Sequence, residues 1–142
     1  MAIWYLATVP KIINMSKINK TILVVEDEVA MLQALSTKLE LEGFKVLKAE
    51  NGEKGLEIAL KEHPDLIMLD ILMPKMNGIE VLKKIRDDQS WGVEALIVML
   101  SNLSDADSVS KVAQYGVYDF LVKTDWRLDD VSKFVKNKLG IK

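Results

Sequence analysis

The sequence predicts a doubly wound α/β fold: a parallel five-stranded sheet covered by five helices. Three observations carry the prediction. From about Asn19 onward, five short apolar runs alternate with amphipathic segments. The runs are nearly continuous in Val, Ile and Leu, the pattern of parallel strands buried on both faces. Four of them also end on groups suited to phosphate or metal chemistry. Val24-Val25 leads into Glu26-Asp27, Leu66–Leu69 into Asp70, Ile97–Leu100 into Ser101, and Phe120–Val122 into Lys123. Right-handed crossovers between such strands place helices on both sides of one sheet.

The elements follow in order. Thr21–Val25, rich in β-branched residues, is strand one. Val29, Leu32, Leu35 and Leu39 recur at helical spacing, and Gly43 closes that helix. Lys45–Ala49 is strand two. Asn51-Gly52 opens a helix carrying Leu56, Ala59 and Leu60, which stops before Pro64. Leu66–Leu69 is strand three. Asn77-Gly78-Ile79-Glu80 has the form of a capping box, with Ile79, Leu82 and Ile85 as the buried stripe behind it. Ala95–Leu100 is strand four. Ser104 or Asp105 caps a weaker helix over roughly 105–115, and Val117–Val122 is strand five. Leu128, Val131, Val135 and Leu139 line the last helix.

Composition narrows the function classes. The 142 residues suit one domain of ordinary size, with 49% hydrophobic and 28% charged content. The net charge of -2, from 19 basic and 21 acidic residues, offers no basic stripe for nucleic acid. With no cysteine there is no disulfide, thiolate zinc site or cysteine nucleophile, and His63 as sole histidine leaves little room for a histidine metal cluster. No helix-turn-helix or second catalytic set follows Leu139, so output through protein–protein contact is expected. Lys133, Lys136 and Lys138 make the last helix basic on its outer side. That is either a solvated face or a dock for an acidic partner.

Residues 1–18 are set apart as an N-terminal extension, with the folded domain at 19–142. Met1–Asn14 reads MAIWYLATVPKIIN, and Lys11 is its only charge. Its apolar part is too short to span a bilayer and lacks the basic start of a secretory signal. Met15-Ser16-Lys17 looks like a natural beginning, so the upstream piece reads as a mis-assigned start or a loosely held extension. The alternative is a membrane-surface or partner-docking segment built on Ile3, Trp4, Tyr5 and Leu6.

In doubly wound sheets, ligands bind beyond the carboxyl ends of the strands, which brings Asp27, Asp70, Ser101 and Lys123 together. Glu26, Asp27 and Asp70 would crowd three carboxylates and raise one another's pKa unless a cation intervened. Oxygen-only ligands select a hard ion, most plausibly Mg²⁺. Two direct carboxylates suffice for it, with Glu26 acting through a water. Taken alone, Glu26-Asp27-Glu28 could simply be an acidic first turn that suits the helix dipole. Asp70 is the candidate nucleophile, able to attack phosphorus and form an acyl phosphate. Lys123 supplies a point charge for Asp70 or for phosphoryl oxygens, and Ser101 a hydroxyl donor.

On these residues the chain resembles a response-regulator receiver domain of two-component signalling, of the stand-alone chemotaxis type. The carrying motifs are VVEDE at Val24–Glu28, LDILMPKMNG at Leu69–Gly78, LS at Leu100-Ser101 and DFLVK at Asp119–Lys123. The likeness spans roughly Lys20–Leu139. It implies a flavodoxin-like fold with strand order 2-1-3-4-5 and a phosphoryl group accepted on Asp70 from a phosphohistidine. It implies Mg²⁺ on Asp27, Asp70 and the Leu72 carbonyl, with Glu26 in the outer shell. It also implies Ser101 and Phe120 as a switch pair. The partners implied are a sensor histidine kinase or phosphotransfer protein and an unnamed protein target, without nucleic acid or a membrane span. The setting implied is cytoplasmic, and the family often pairs through the last helices and strand five. No enzymatic activity is expected beyond the chain's own phosphorylation and slow dephosphorylation. Lacking a hydroxyl, Phe120 is expected to be mostly buried.

Three departures from the family pattern stand out. Thr124 follows Lys123 where the family usually has proline, so a trans peptide, or a strained cis one, is expected there. Asn102 stands where alanine or glycine is preferred. Leu72 and Leu103 flank the path of the hydrolytic water and cannot orient it, which predicts slow self-dephosphorylation. One rival reading is a non-phosphorylated pseudo-receiver acting as a binding module. Another is an enzyme of similar architecture. Glu26-Asp27-Glu28 would repel a flavin phosphate, and a phosphatase would usually carry aspartate at Leu72.

Overall fold

The computed structural model describes residues 17–102 and 106–141. The elements run β1 Thr21–Val25, α1 Val29–Leu41, β2 Lys45–Ala49, α2 Gly52–Glu62, β3 Leu66–Asp70 and α3 Gly78–Arg86. A 3-10 turn at Gly92–Glu94 follows, then β4 Ile97–Ser101, α4 Ala106–Ala113, β5 Phe120–Val122 and α5 Leu128–Lys138. Residues 1–16 of the expected 1–18 extension, the Ser104 or Asp105 cap and Leu103 lie outside the described residues.

The sheet is wholly parallel, in the order β2-β1-β3-β4-β5. Strand order therefore reverses between β1 and β3, where a crevice opens at the carboxyl ends. Register aligns those ends. Val25 lies opposite Leu69, Asp70 opposite Leu100, and Ser101 opposite Val122. Four strands thus finish on one rim.

Alternation of side chains across the strands explains their continuous apolar character. Leu23, Val25, Ile67, Leu69, Ile97 and Met99 face one side and pack with Ala59, Val81, Leu82, Ile85 and Val112 of α2, α3 and α4. Ile22, Val24, Leu66, Met68, Val98 and Leu100 face the other and pack with Leu32, Leu35 and Leu39 of α1 and Val131 and Val135 of α5. Asn51 and Asn77 cap α2 and α3, each accepting a backbone N–H three residues on. Gly43, at φ 105, ends α1.

Several expectations need correction. Val29 is exposed because the first residue of α1 stands at the rim, past the strand ends that could cover it. Leu60 is exposed because α2 comes so close to β1 that Gly55 meets the Val25 side chain. The buried centre of α2 is Gly55–Ala59, and Leu60 lies at its margin. Ile79 is half-buried, and Val81 takes the core position beside Leu82 and Ile85. Strand β4 starts at Ile97 because Ala95 closes the 3-10 turn, and β5 is a three-residue edge strand starting at Phe120. The last helix is less basic outside than its sequence suggests. Lys136 pairs with Glu42 and Lys138 with Asp119, each at 2.6 Å, leaving Lys133 to solvent. Lys38 adds contacts to Asp129 at 2.6 Å and Glu42 at 3.1 Å, so α1 and α5 are stitched together by charge.

Gly78 links this scaffold to the rim. Its N–H donates to the Ile71 carbonyl at 2.8 Å, and a Cβ there would lie 2.1 Å from the Asp70 carbonyl oxygen. Helix propensity alone favours alanine over glycine by about 1 kcal/mol. Overpacking against backbone outweighs that gain. Gly78→Ala should lower stability by about 2–3 kcal/mol in chemical denaturation, and an equally or more stable variant would contradict the tight fit.

Candidate functional site

The rim gathers the predicted site residues. Glu26 follows β1, its N–H donating to the Ala49 carbonyl at 3.0 Å, and its side chain is fully buried. Asp27 is the next residue and is exposed. Asp70 ends β3 and Ser101 ends β4; both are buried. Carboxylate oxygens of Glu26, Asp27 and Asp70 all lie within 4.8 Å of one another.

Lys123 projects into this cluster from the residue after β5. Its Nζ lies 2.5 Å from Glu26 Oε1 and 3.2 Å from Asp70 Oδ2, with all three side chains almost fully buried. The sequence pointed to Asp70 as the lysine's partner and missed the shorter contact to Glu26. The signal was there: glutamate reaches one methylene farther than aspartate would from the same backbone position. The backbone explains why proline is dispensable after Lys123. The Lys123 N–H donates to the Ser101 carbonyl at 2.6 Å, which fixes the lysine against the end of β4. The Lys123–Thr124 peptide is trans, and no cis peptide occurs among the described residues.

The electrostatics are unbalanced. Three carboxylates face one ammonium. Burial, reinforced by Glu26, pushes Asp70 up to about 7, against the pull of Lys123. Partial burial and Asp70 likewise raise Asp27. Burial opposes the charge on Lys123, but Glu26 and Asp70 outweigh it and hold the ammonium above the ordinary lysine value. Glu26 Oε2 is buried without a hydrogen-bond donor. An orphaned buried oxygen, an exposed carboxylate at the mouth and surplus negative charge together fit a hard cation held by oxygens.

The remaining site residues lie around this cluster. Leu72 follows in the loop after Asp70 with its side chain 70% exposed. Asn102 is exposed beside Ser101. Phe120 is half-buried, not mostly buried as expected, because the edge strand β5 is only partly covered along its length. It packs against the apolar cluster on the α2–α4 side.

The rim of this α/β sheet joins an acidic cluster, a buried lysine and a strand-end serine, which defines a doubly wound module with a charged site at the carboxyl ends of its strands. The family model for the response regulator receiver domain matches residues 22–135, and the chain belongs to that family. Receiver domains are signalling modules that work with histidine kinases or phosphotransfer proteins. The chain is 46% identical over 105 residues to the alkaline phosphatase synthesis transcriptional regulatory protein PhoP of Bacillus subtilis, covering 74% of this chain and 42% of PhoP. It spans less than half the length of the curated relatives first matched. Among solved structures, chemotaxis protein CheY4 of Vibrio cholerae superposes with TM-score 0.77 at 28% identity, covering 83% of this chain and 97% of CheY4. The CheX–CheY–BeF3–Mg²⁺ complex from Borrelia burgdorferi superposes with TM-score 0.74 at 28% identity, covering 84% of this chain and 88% of that one. No helix among the described residues is long and apolar enough to cross a membrane.

The Asp70 shift makes a stability statement. Burial and Glu26 let the folded chain hold a proton at Asp70 up to about pH 7, whereas the unfolded chain loses it near the ordinary carboxylate value of 3.8. Between those values the folded state binds more protons, so without metal stability falls as pH rises through the window. Asp70→Asn removes this penalty. In chelator it should stabilise the protein by about 1–3 kcal/mol near pH 8, with the gain fading toward about pH 4. Thermal unfolding across pH checks it, and a pH-independent loss of stability would contradict it.

Proposed function

We propose that this domain is a phosphorylation-dependent switch in which Asp70 accepts a phosphoryl group from the phosphohistidine of a sensor kinase or phosphotransfer protein. The observation that carries the reading is the placement of Lys123, within reach of Asp70 yet held by Glu26. In the reaction, an Asp70 carboxylate oxygen attacks phosphorus and the phosphorus–nitrogen bond of the donor breaks. Its electron pair leaves with the imidazole, and an acyl phosphate forms on Asp70. The Lys123 ammonium then pairs with phosphoryl oxygens, and the Ser101 hydroxyl donates to another. Asp27, Asp70 and the Leu72 carbonyl would hold Mg²⁺, with Glu26 behind them, and the ion would neutralise charge on the transferring group. A structural neighbour is a CheX–CheY complex with BeF3 and Mg²⁺, which supports Mg²⁺ as the ion.

Ser101 and Phe120 serve as the switch pair in this reading. Movement of Ser101 toward the phosphoryl group vacates space at the end of β4, and the half-buried Phe120 ring turns inward beside it. The face formed by α4, β5 and α5 then changes shape and signals by protein contact. A coupling of about 1–3 kcal/mol suffices for such a switch.

Two assays test the proposal. A small phosphodonor with Mg²⁺ should add one phosphoryl group, seen by intact mass, and Asp70→Asn should abolish it. Equal labelling of that variant would refute Asp70 as acceptor, and no labelling of the native chain would favour the pseudo-receiver reading. Leu72 places an apolar side chain, and no carboxylate or amide, next to the phosphoryl site. The acyl phosphate should therefore persist well beyond seconds and decay faster in a Leu72→Asn, Leu103→Glu variant. Equal decay in both proteins would contradict a role for the leucines.

A further inference from the structure

Lys123 keeps its ammonium inside the acidic cluster, yet the residues next to it give it little support. Thr124 leaves φ free where a proline would lock it, and Thr124 and Asp125 are both exposed. The segment forms a tight turn, in which the Asp125 N–H donates to the Val122 carbonyl at 2.9 Å. On the near side the turn is fixed by the Lys123 N–H, which donates to the Ser101 carbonyl. On the far side it runs into Trp126.

Trp126 is half-buried and packs against the apolar layer between the sheet and α1 and α5, the layer that holds Leu100, Val131 and Val135. It stands directly before Arg127, the cap of α5. The Arg127 N–H donates to Asp130 Oδ2 at 3.2 Å, and the Asp130 N–H donates to the Arg127 carbonyl at 3.0 Å. An apolar residue just before a helix cap pairs with one at the fourth helical position, here Trp126 with Val131. Such a staple sets the angle at which the chain enters the helix. Helix α5 is itself tied to α1 through Lys38–Asp129 and Lys136–Glu42. The turn that carries Lys123 is thus strung between the end of β4 and a fixed helix start.

The indole supplies bulk and not a hydrogen bond. Its Nε1 is buried with no acceptor among the described residues, a cost that a phenyl ring would not incur. A ring held in spite of that cost is held for the space it fills.

We propose that Trp126 is the positioning residue for Lys123. Its ring, set against the α1–α5 layer, holds the turn so that the ammonium meets Glu26 and Asp70. The consequence for phosphoryl transfer rests on Asp70 being the acceptor; the placement of the lysine does not.

Two readouts on the full chain test it. A buried, paired ammonium exchanges slowly with water, so native Lys123 should give its own proton–nitrogen ammonium signal in NMR. Trp126→Ala should erase that signal and slow labelling by acetyl phosphate with Mg²⁺ by about 10–100-fold. Trp126→Phe should restore both. Val135→Ala, which thins the same layer away from the turn, should lower the unfolding temperature and leave both readouts as in the native chain. Should the alanine variant fail to fold, Trp126→Leu carries the same expectation with a smaller loss. A signal and a labelling rate that survive removal of the ring would overturn the proposal. So would equal losses in Val135→Ala, or a native chain without the signal. A chain that loses the signal in Trp126→Ala but takes up no phosphoryl group even in native form would keep Trp126 in its role and refute Asp70 as acceptor.

Discussion

The arrangement depends on one electrostatic imbalance. Three carboxylates from two strand ends are held within 4.8 Å of each other, and one buried ammonium answers them. Burying such charges is expensive, and an ion pair recovers the cost only when geometry and hydrogen bonding are good. Lys123 satisfies one oxygen of Glu26 closely and reaches Asp70 less closely, while Glu26 Oε2 stays orphaned. Left alone, the cluster keeps a proton near neutrality, as the raised Asp70 shows. Only a rigid frame can maintain such a site. Both apolar layers and the tight packing of Gly78 beneath Asp70 supply it.

The two sides of the sheet are held differently. On one side α1 and α5 share a deep apolar layer and a charged lattice of Lys38, Glu42, Asp129 and Lys136. On the other, α4 places Val112 alone among its residues in the buried core. Near the end of α4, Arg86 donates to the Tyr115, Gly92 and Ala95 carbonyls at 2.7–2.8 Å. The α4 side thus has an anchor at one end and little apolar grip elsewhere. A change at Ser101, which lies between Asp70 and α4 in the chain, meets less resistance there than it would from α1 and α5.

Much of this was legible in the sequence, for identifiable reasons. Strands buried on both faces announce themselves as unbroken apolar runs, so β1, β2 and β3 were placed to within a residue. The site was legible because parallel strands put their final residues on one rim, and the polar residue ending each run was easy to see. Other features are not written in local sequence. The exposure of Leu60 follows from the close approach of Gly55 to Val25, a tertiary distance. The half-exposure of Phe120 follows from β5 being an edge strand of three residues. The pairing of Lys136 and Lys138 with Glu42 and Asp119 depends on carboxylates far away in the chain. The Glu26–Lys123 contact was hidden because the family pattern drew attention to Asp70.

The central claim is that the surplus negative charge at the rim is answered by a hard divalent ion. Calorimetric titration of the metal-free protein with Mg²⁺ measures this most directly. The account predicts a single binding event near neutral pH, weakened by about tenfold or more in Asp27→Asn, with proton release as the ion displaces the proton held at Asp70. Binding that is absent, or that is unchanged when Asp27 loses its charge, would contradict it.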